Sequence, residues 1–190
     1  MKELLAGQKR LPGFSGEWEK MTLGSLVDIK KGALITEANA VPGSIPVIAG
    51  GRKPAYFHNV ANRTGKTVAV SGSGASAGYV SFYDCPIFAS DCSTISEGMG
   101  YSIEFVYFLL QSRQDEIYRA QTGGAQPHIH PTDLRPMAIR VPTADEQTAI
   151  AAILSDMDVE IVATEAKLAK ARLVKQGMMQ ELLTGRIRLV

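Results

Sequence analysis

The chain has 190 residues, of which 45% are apolar, 21% charged and 7% aromatic, with a net charge of +1 and two cysteines, Cys85 and Cys92. These proportions exclude a disordered segment, a collagen-like repeat and a disulfide-stapled scaffold, and no apolar run approaches the ~18 residues of a membrane span. The opening residues carry charges where a secretory leader needs an apolar core, so the expected setting is the cytoplasm, with no membrane partner. A net charge so near zero decides nothing about nucleic acid, but its distribution is informative. Residues 38–83 contain no acid, yet hold Arg52, Lys53, Arg63 and Lys66. Residues 145–165 hold six acids and no base, and residues 166–190 hold six bases against the single acid Glu181. Such segregation calls for a physical reason.

In chain order, Thr22 is placed to cap a short helix at 23–27. Short apolar runs bounded by Gly, Pro, Ser and Asn then predict strands at 45–48, 67–70, 78–82 and 86–89. Ser102 is placed to cap a helix at 103–111 that continues into 113–120, a last turn falls at 132–134, and a strand follows at 137–141. The fold class is mixed α/β: a globular domain of short strands and helices over residues 1–142.

Past Pro142 the texture changes. Thr143 and Glu146 stand at capping-box spacing, and from there to Leu183 the chain has no proline and one glycine, Gly177. About forty residues at 1.5 Å each predict a helix roughly 60 Å long. Alternating steps of four and three select Ile150, Leu154, Met157, Ile161, Thr164, Leu168, Ala171, Lys175, Met178 and Leu182, a heptad seam that is apolar at eight of its ten positions. Two copies side by side in parallel would set acid against acid. Run antiparallel, each acidic half meets a basic half, which predicts an antiparallel coiled coil in a two-fold homodimer over residues 143–190, the other reading being an amphipathic helix packed on its own domain. Rim pairs of this kind contribute only tenths of a kcal/mol, so charge selects orientation and the apolar seam supplies affinity.

The two ends of the chain repeat one another. MKELLAGQKRL at 1–11 aligns without gaps to MQELLTGRIRL at 179–189, with seven of eleven positions identical and a period of 178 residues. The unit thus opens with the signature on which it closes, as in a tandem array.

Several segments in fixed order resemble the specificity subunit of type I restriction-modification systems. LPGFSGEWE (11–19) resembles the lead-in to a target recognition domain, LGSLVDIKKG (23–32) its opening, and GGAQPHI (123–129) followed by Asp133 and Leu134 its closing element. IRVPTADEQ (139–147) resembles the entry to the spacer helix, and MQELLTGR (179–186) its end. The resemblance implies non-catalytic recognition of double-stranded DNA, with no cofactor and no metal, beside methyltransferase and restriction-translocase subunits. Members of the family usually carry two recognition domains and two long antiparallel helices. One domain and one helix imply a half-length form, or one half of a longer protein, that antiparallel pairing would complete. Such a homodimer would read an interrupted palindrome whose half-sites lie somewhat more than one turn of DNA apart, about 34–36 Å.

DNA reading needs phosphate anchors and base-edge readers. Arg52, Lys53, Arg63 and Lys66 are the candidate anchors, and His58, Asn59 and Asn62 the candidate readers. Ser73, in the run SGSGASAG (71–78), offers backbone amides and a hydroxyl. Gln126 and His128 belong to a second polar cluster with Gln121, Thr122 and His130. Three enzyme or metal readings fare worse. Residues 67–74 run from a strand into glycines but lack the helix that a dinucleotide-binding turn requires, and GASAG (74–78) lacks the helix that a hydrolase elbow requires. Cys85, Cys92, His128 and His130 lack zinc-ligand spacing. The reading from a different class is an interaction scaffold that binds partner subunits through its coiled coil without reading DNA.

Overall fold

The computed structural model describes residues 2–185, and Met1, Arg186, Arg188 and Leu189 of the terminal repeat lie outside them. In chain order the elements are α1 (Lys2–Leu5), β1 (Glu19–Thr22), α2 (Leu23–Leu26), β2 (Lys30–Lys31), β3 (Ile45–Ile48), β4 (Tyr56–His58), β5 (Thr67–Ser71), β6 (Val80–Tyr83), β7 (Phe88–Ala89), β8 (Cys92–Ser96), α3 (Ile103–Ser112), α4 (Gln114–Arg119), α5 (Pro131–Leu134), β9 (Ala138–Val141) and α6 (Ala144–Leu183). The chain forms two compact units, Met1–Ala151 and Ala152–Val190. The division falls about two turns into α6, beyond the change of texture at Pro142, because the helix's first turns are buried: Glu146, Gln147, Ile150 and Ala151 are each under 5% exposed.

Among the described residues the strands make three sheets. β1 pairs antiparallel with β9, the order β2-β8-β5-β6 is antiparallel throughout, and β4-β3-β7 pairs β3 with β7 in parallel. β5 is buried along its whole length, as a strand hydrogen-bonded on both edges and covered on both faces must be. Its Ala69 joins Ile48, Ile87, Ala89 and Cys92 in one apolar cluster, while alternation puts Val68 and Val70 on the opposite face. Helix α3 lies against β5 and β6 and buries Phe105, Val106, Leu109 and Leu110. Burial pushes the Cys92 thiol up to about 12, so it packs as a small apolar group.

Local chemistry fixes the helix starts in ways the sequence shows only in part. Ser102 accepts from Phe105 N at 3.2 Å, as its capping position predicts. Thr22 does not cap α2 through its side chain; its hydroxyl instead lies 2.7 Å from the Ser25 hydroxyl. The expected continuous helix through 113–120 breaks at Arg113, whose φ of −107° and ψ of 18° leave the helical region, so α4 is separate. At the expected capping box Glu146 has a partner from far along the chain. Glu146 is held by Arg10, whose Nε and Nη2 donate to its two oxygens, each at 2.7 Å. This Arg10 fork also donates to Gly16 O at 2.6 Å and lies over the Trp18 ring. Gln147 accepts from Ser102 N and donates to Pro142 O, both at 3.0 Å, tying the start of α6 to the start of α3.

Residues 155–183 of α6 are half-buried or exposed throughout. Ile150 and Leu154, expected in the pairing seam, are each 1% exposed and already covered within the chain. The open stripe therefore begins at Met157.

Two predictions follow from these contacts. Arg10→Met leaves the buried Glu146 carboxylate, 2% exposed, without its partner and lowers unfolding free energy by about 2–4 kcal/mol in urea titration. An unchanged midpoint would show that the fork contributes nothing. The second concerns Lys66 and Glu104, which pair at 2.6 Å. Burial pushes the Glu104 carboxyl up, but the hydrogen bond and charge of Lys66 outweigh it, leaving it below its ordinary 4.5. Glu104 therefore stabilises the fold above that value, and the contribution disappears as pH falls through its lowered value. Lys66 is raised from 10.5 chiefly by its hydrogen bond to Glu104, so its contribution is lost on the alkaline side. In Glu104→Gln the fall in stability below pH 4.5 should be shallower than in the unsubstituted chain.

Candidate nucleic-acid interface

The candidate DNA-contacting residues separate into two groups. In the first, the polar atoms are spent inside the fold. His58 is 8% exposed, accepts from Val41 N at 3.0 Å through Nδ1, and sets its ring edge-on to Phe88 at 5.2 Å. Asn62 clamps the backbone of Ala89, donating to its carbonyl at 2.9 Å and accepting from its amide at 2.7 Å. Arg63 donates to Thr94 Oγ1 at 2.9 Å, to Asn62 O at 2.7 Å and to Lys31 O at 3.3 Å. Lys66 is committed to Glu104. Asn62 and Arg63 direct their bonds into the fold, while Lys66 spends one of its three donors on Glu104 and His58 uses Nδ1. These four residues help to organise the acid-free stretch.

The second group is open, and three loops bring it together. Beyond β3, Gly50 packs so tightly on the loop after β5 that a Cβ there would come within 2.5 Å of Ser73 O. Arg52, exposed, lays its guanidinium 4.9 Å from the centre of the Tyr79 ring, with exposed Lys53 next in sequence. In the second loop, Ser73 leads into a 3-10 turn at Gly74–Ser76, and its hydroxyl donates to Asp91. The third loop closes on the second: Gly74 N donates to Pro127 O at 3.0 Å, Ile129 N donates to Gly72 O at 2.9 Å, and Ser73 bridges to His128. Gln121 adds a bond from Nε2 to Ala77 O at 2.7 Å.

The turn of the third loop is fixed by reciprocal backbone bonds between Thr122 and His128, at 2.9 and 2.8 Å. Gly123 has a φ of +85°, and a Cβ there would lie 2.5 Å from Gln126 O, so only glycine fits. The turn exposes Gln126 and stacks the His128 and His130 rings at 6.2 Å and 5°. The open set is therefore Arg52, Lys53, Gln126, half-buried His128 and exposed His130, on a frame of backbone hydrogen bonds. Asn59 is exposed and lies apart from these bonds. A cation stacked on a ring beside amide and imidazole donors suits phosphate and purine edges.

Sequence reasoning missed Tyr79, which carries Arg52, and the exposed pair Lys30 and Lys31 beside Arg63. The adjacency of the two lysines was the available signal for β2; nothing local marked Tyr79. Among the described residues no group of three or more His, Cys, Asp or Glu is arranged to hold a metal, and no helix is long and apolar enough to cross a membrane.

Comparison with known proteins agrees in order and extent. Residues 15–171 match the family described as Type I restriction modification DNA specificity domain. A Mycoplasma pneumoniae protein described as a type I specificity subunit is 30% identical over 152 residues, which cover 77% of this chain and 40% of that protein. The Type I restriction enzyme EcoDI specificity subunit of Escherichia coli is 24% identical over 168 residues, 88% of this chain and 37% of the relative. The crystal structure of the type I restriction-modification S subunit from M. genitalium superposes with a TM-score of 0.71 at 26% identity, over 92% of this chain and 48% of that one. The chain thus spans about half the length of the solved relative and about two fifths of the curated ones. With a match running from the residues before β1 into the second half of α6, the chain belongs to the type I restriction-modification DNA specificity family.

Proposed function

We propose that this chain is a non-catalytic DNA-reading module of a type I restriction-modification assembly in the cytoplasm, working as an antiparallel pair that reads an interrupted palindrome. The observation that carries the reading half is the joining of three loops into one open face of Arg52, Lys53, Gln126, His128 and His130. Arg52 and Lys53 supply charge for phosphate, and the amide and imidazoles supply base-edge donors. Methyltransferase and restriction subunits, which this chain does not replace, are the other partners.

The pairing half is supported by α6. Met157, Ile161, Leu168 and Met178 are 50%, 52%, 50% and 60% exposed, more than an isolated helix in water leaves uncovered without a partner. A two-fold axis beside Ala166 sets Met157 opposite Lys175, Ile161 opposite Ala171 and Thr164 opposite Leu168. The same axis brings Glu160 level with Arg172 and Glu165 level with Lys167. In this register the charges pair and Ile161 meets Ala171, while the stem of Lys175 and the methyl of Thr164 cover Met157 and Leu168.

Selection of bound sequences from a random duplex pool should return a palindrome with a fixed, unread spacer. Arg52→Ala should weaken binding about tenfold and reduce the salt slope by roughly one. Asn62→Ala should lower stability and leave the salt slope unchanged. Flat, weak DNA binding together with a tight methyltransferase complex would replace this reading by the scaffold. Glutamate at Met157, Ile161 and Leu168 together should convert the dimer to a monomer in light scattering while the circular dichroism of the strands persists. A dimer surviving all three substitutions would place the interface elsewhere.

A further inference from the structure

The two halves of the terminal repeat are alike in conformation as well as in sequence. α1 ends at Leu5 and α6 at Leu183, the same position of the repeat. Each helix is closed two residues later by a glycine in the left-handed region, Gly7 at φ +69° and Gly185 at φ +71°. Each glycine amide bonds the carbonyl of the equivalent leucine, Leu4 or Leu182, at 3.2 Å.

The surroundings differ. Leu5 is 4% exposed and Leu183 is 82% exposed. Gly7 lies flat on the Trp18 indole, where a Cβ would come within 3.1 Å of the ring, while a Cβ on Gly185 would meet nothing within 4 Å. The first copy is docked on its receptor, and the second repeats its turn with Leu183 and Gly185 left open.

We propose that residues 181–185 dock on a second copy of this chain, at the receptor that residues 3–7 fill here. That receptor is the Trp18 ring and the adjoining face of α3. Beside Leu5 it keeps an open cavity of about 510 Å³, lined in part by Met21, Leu109 and Ile139. The occupant is a second copy because the local receptor holds its own segment and the tail ends an unbroken 40-residue helix. Reach comes from the antiparallel pairing proposed above, on which this inference rests. About an axis at Ala166, Met178 and Leu182 fall level with the partner's Leu154 and Ile150, which are already covered. The tail has no seam left to join and runs on toward the partner's globular unit. Docking there exchanges one copy of the repeat for the other, and Arg188 stands at the repeat position of Arg10.

The test uses the full-length chain with photoreactive benzoylphenylalanine at Leu183, irradiated and mapped by mass spectrometry, with light scattering on the same sample. The expected result is a cross-linked dimer with adducts on Trp18, Met21 or Leu109. Gly7→Val, which cannot hold the left-handed turn, frees the receptor and should raise the adduct yield about tenfold. Gly185→Val, at an exposed position with open space around it, should lower the yield by a similar factor. A dimer whose adducts fall only on the partner's α6 overturns the docking and leaves the pairing standing. A monomer without intermolecular adducts overturns both.

Discussion

A helix of forty residues that buries only its first turns must find cover for the rest, and that constraint organises this protein. The globular unit supplies cover as far as Ala151, through Ile150 and through two polar clamps that fix the base of the helix: Arg10 on Glu146, and Gln147 between Ser102 and Pro142. Beyond Leu154 the helix displays Met157, Ile161, Leu168, Leu173 and Val174 to solvent. Apolar area of that extent favours association, and in the proposed pairing the opposite charges of the two halves of the helix select its direction. On the proposed reading at two mirrored places, the same helix would serve as spacer and as interface.

The candidate recognition face follows a second rule: a buried or half-buried donor must be satisfied within the fold, so unsatisfied donors are the ones available to a ligand. The acid-free stretch contains both kinds. Arg63 has three acceptors inside the protein, whereas Arg52 has a ring beneath it and solvent above. Dense backbone bonding among the loops at Ser73, Gly123 and His128 frames the open side chains, and in the proposed DNA-reading role would limit the ordering cost of binding.

Much of the scaffold was legible in the sequence because it rests on local periodicity. The helix from Ala144, the strands at Ile45, Thr67 and Ala138, and the Ser102 cap all follow from apolar spacing and cap chemistry. The strand Cys92–Ser96 did not, because its polar sequence gains its place only from pairing with β2 and β5 and from complete coverage. Glu146 illustrates the same limit at one residue, because its carboxylate is gripped by an arginine 136 positions away that no local spacing points to. The candidate site was half legible. Sequence identifies the basic stretch and the glutamine-histidine turn, but the choice between Arg52 and Arg63 depends on which acceptors tertiary structure brings near each.

The most direct test of the central claim is the distance between spin labels on the two copies of α6, measured by pulsed dipolar spectroscopy. Cys85, which is exposed, is first replaced by serine, while Cys92 is buried and its thiol is held at about 12, out of reach of labelling. An antiparallel pair crossing beside Ala166 places labels there at the interhelical spacing of about 10 Å. It places labels at Gln180 about 40 Å apart. Short distances at both positions would mean parallel helices, and no dipolar coupling at either would mean that the stripe is not covered by a second copy; either result contradicts the account.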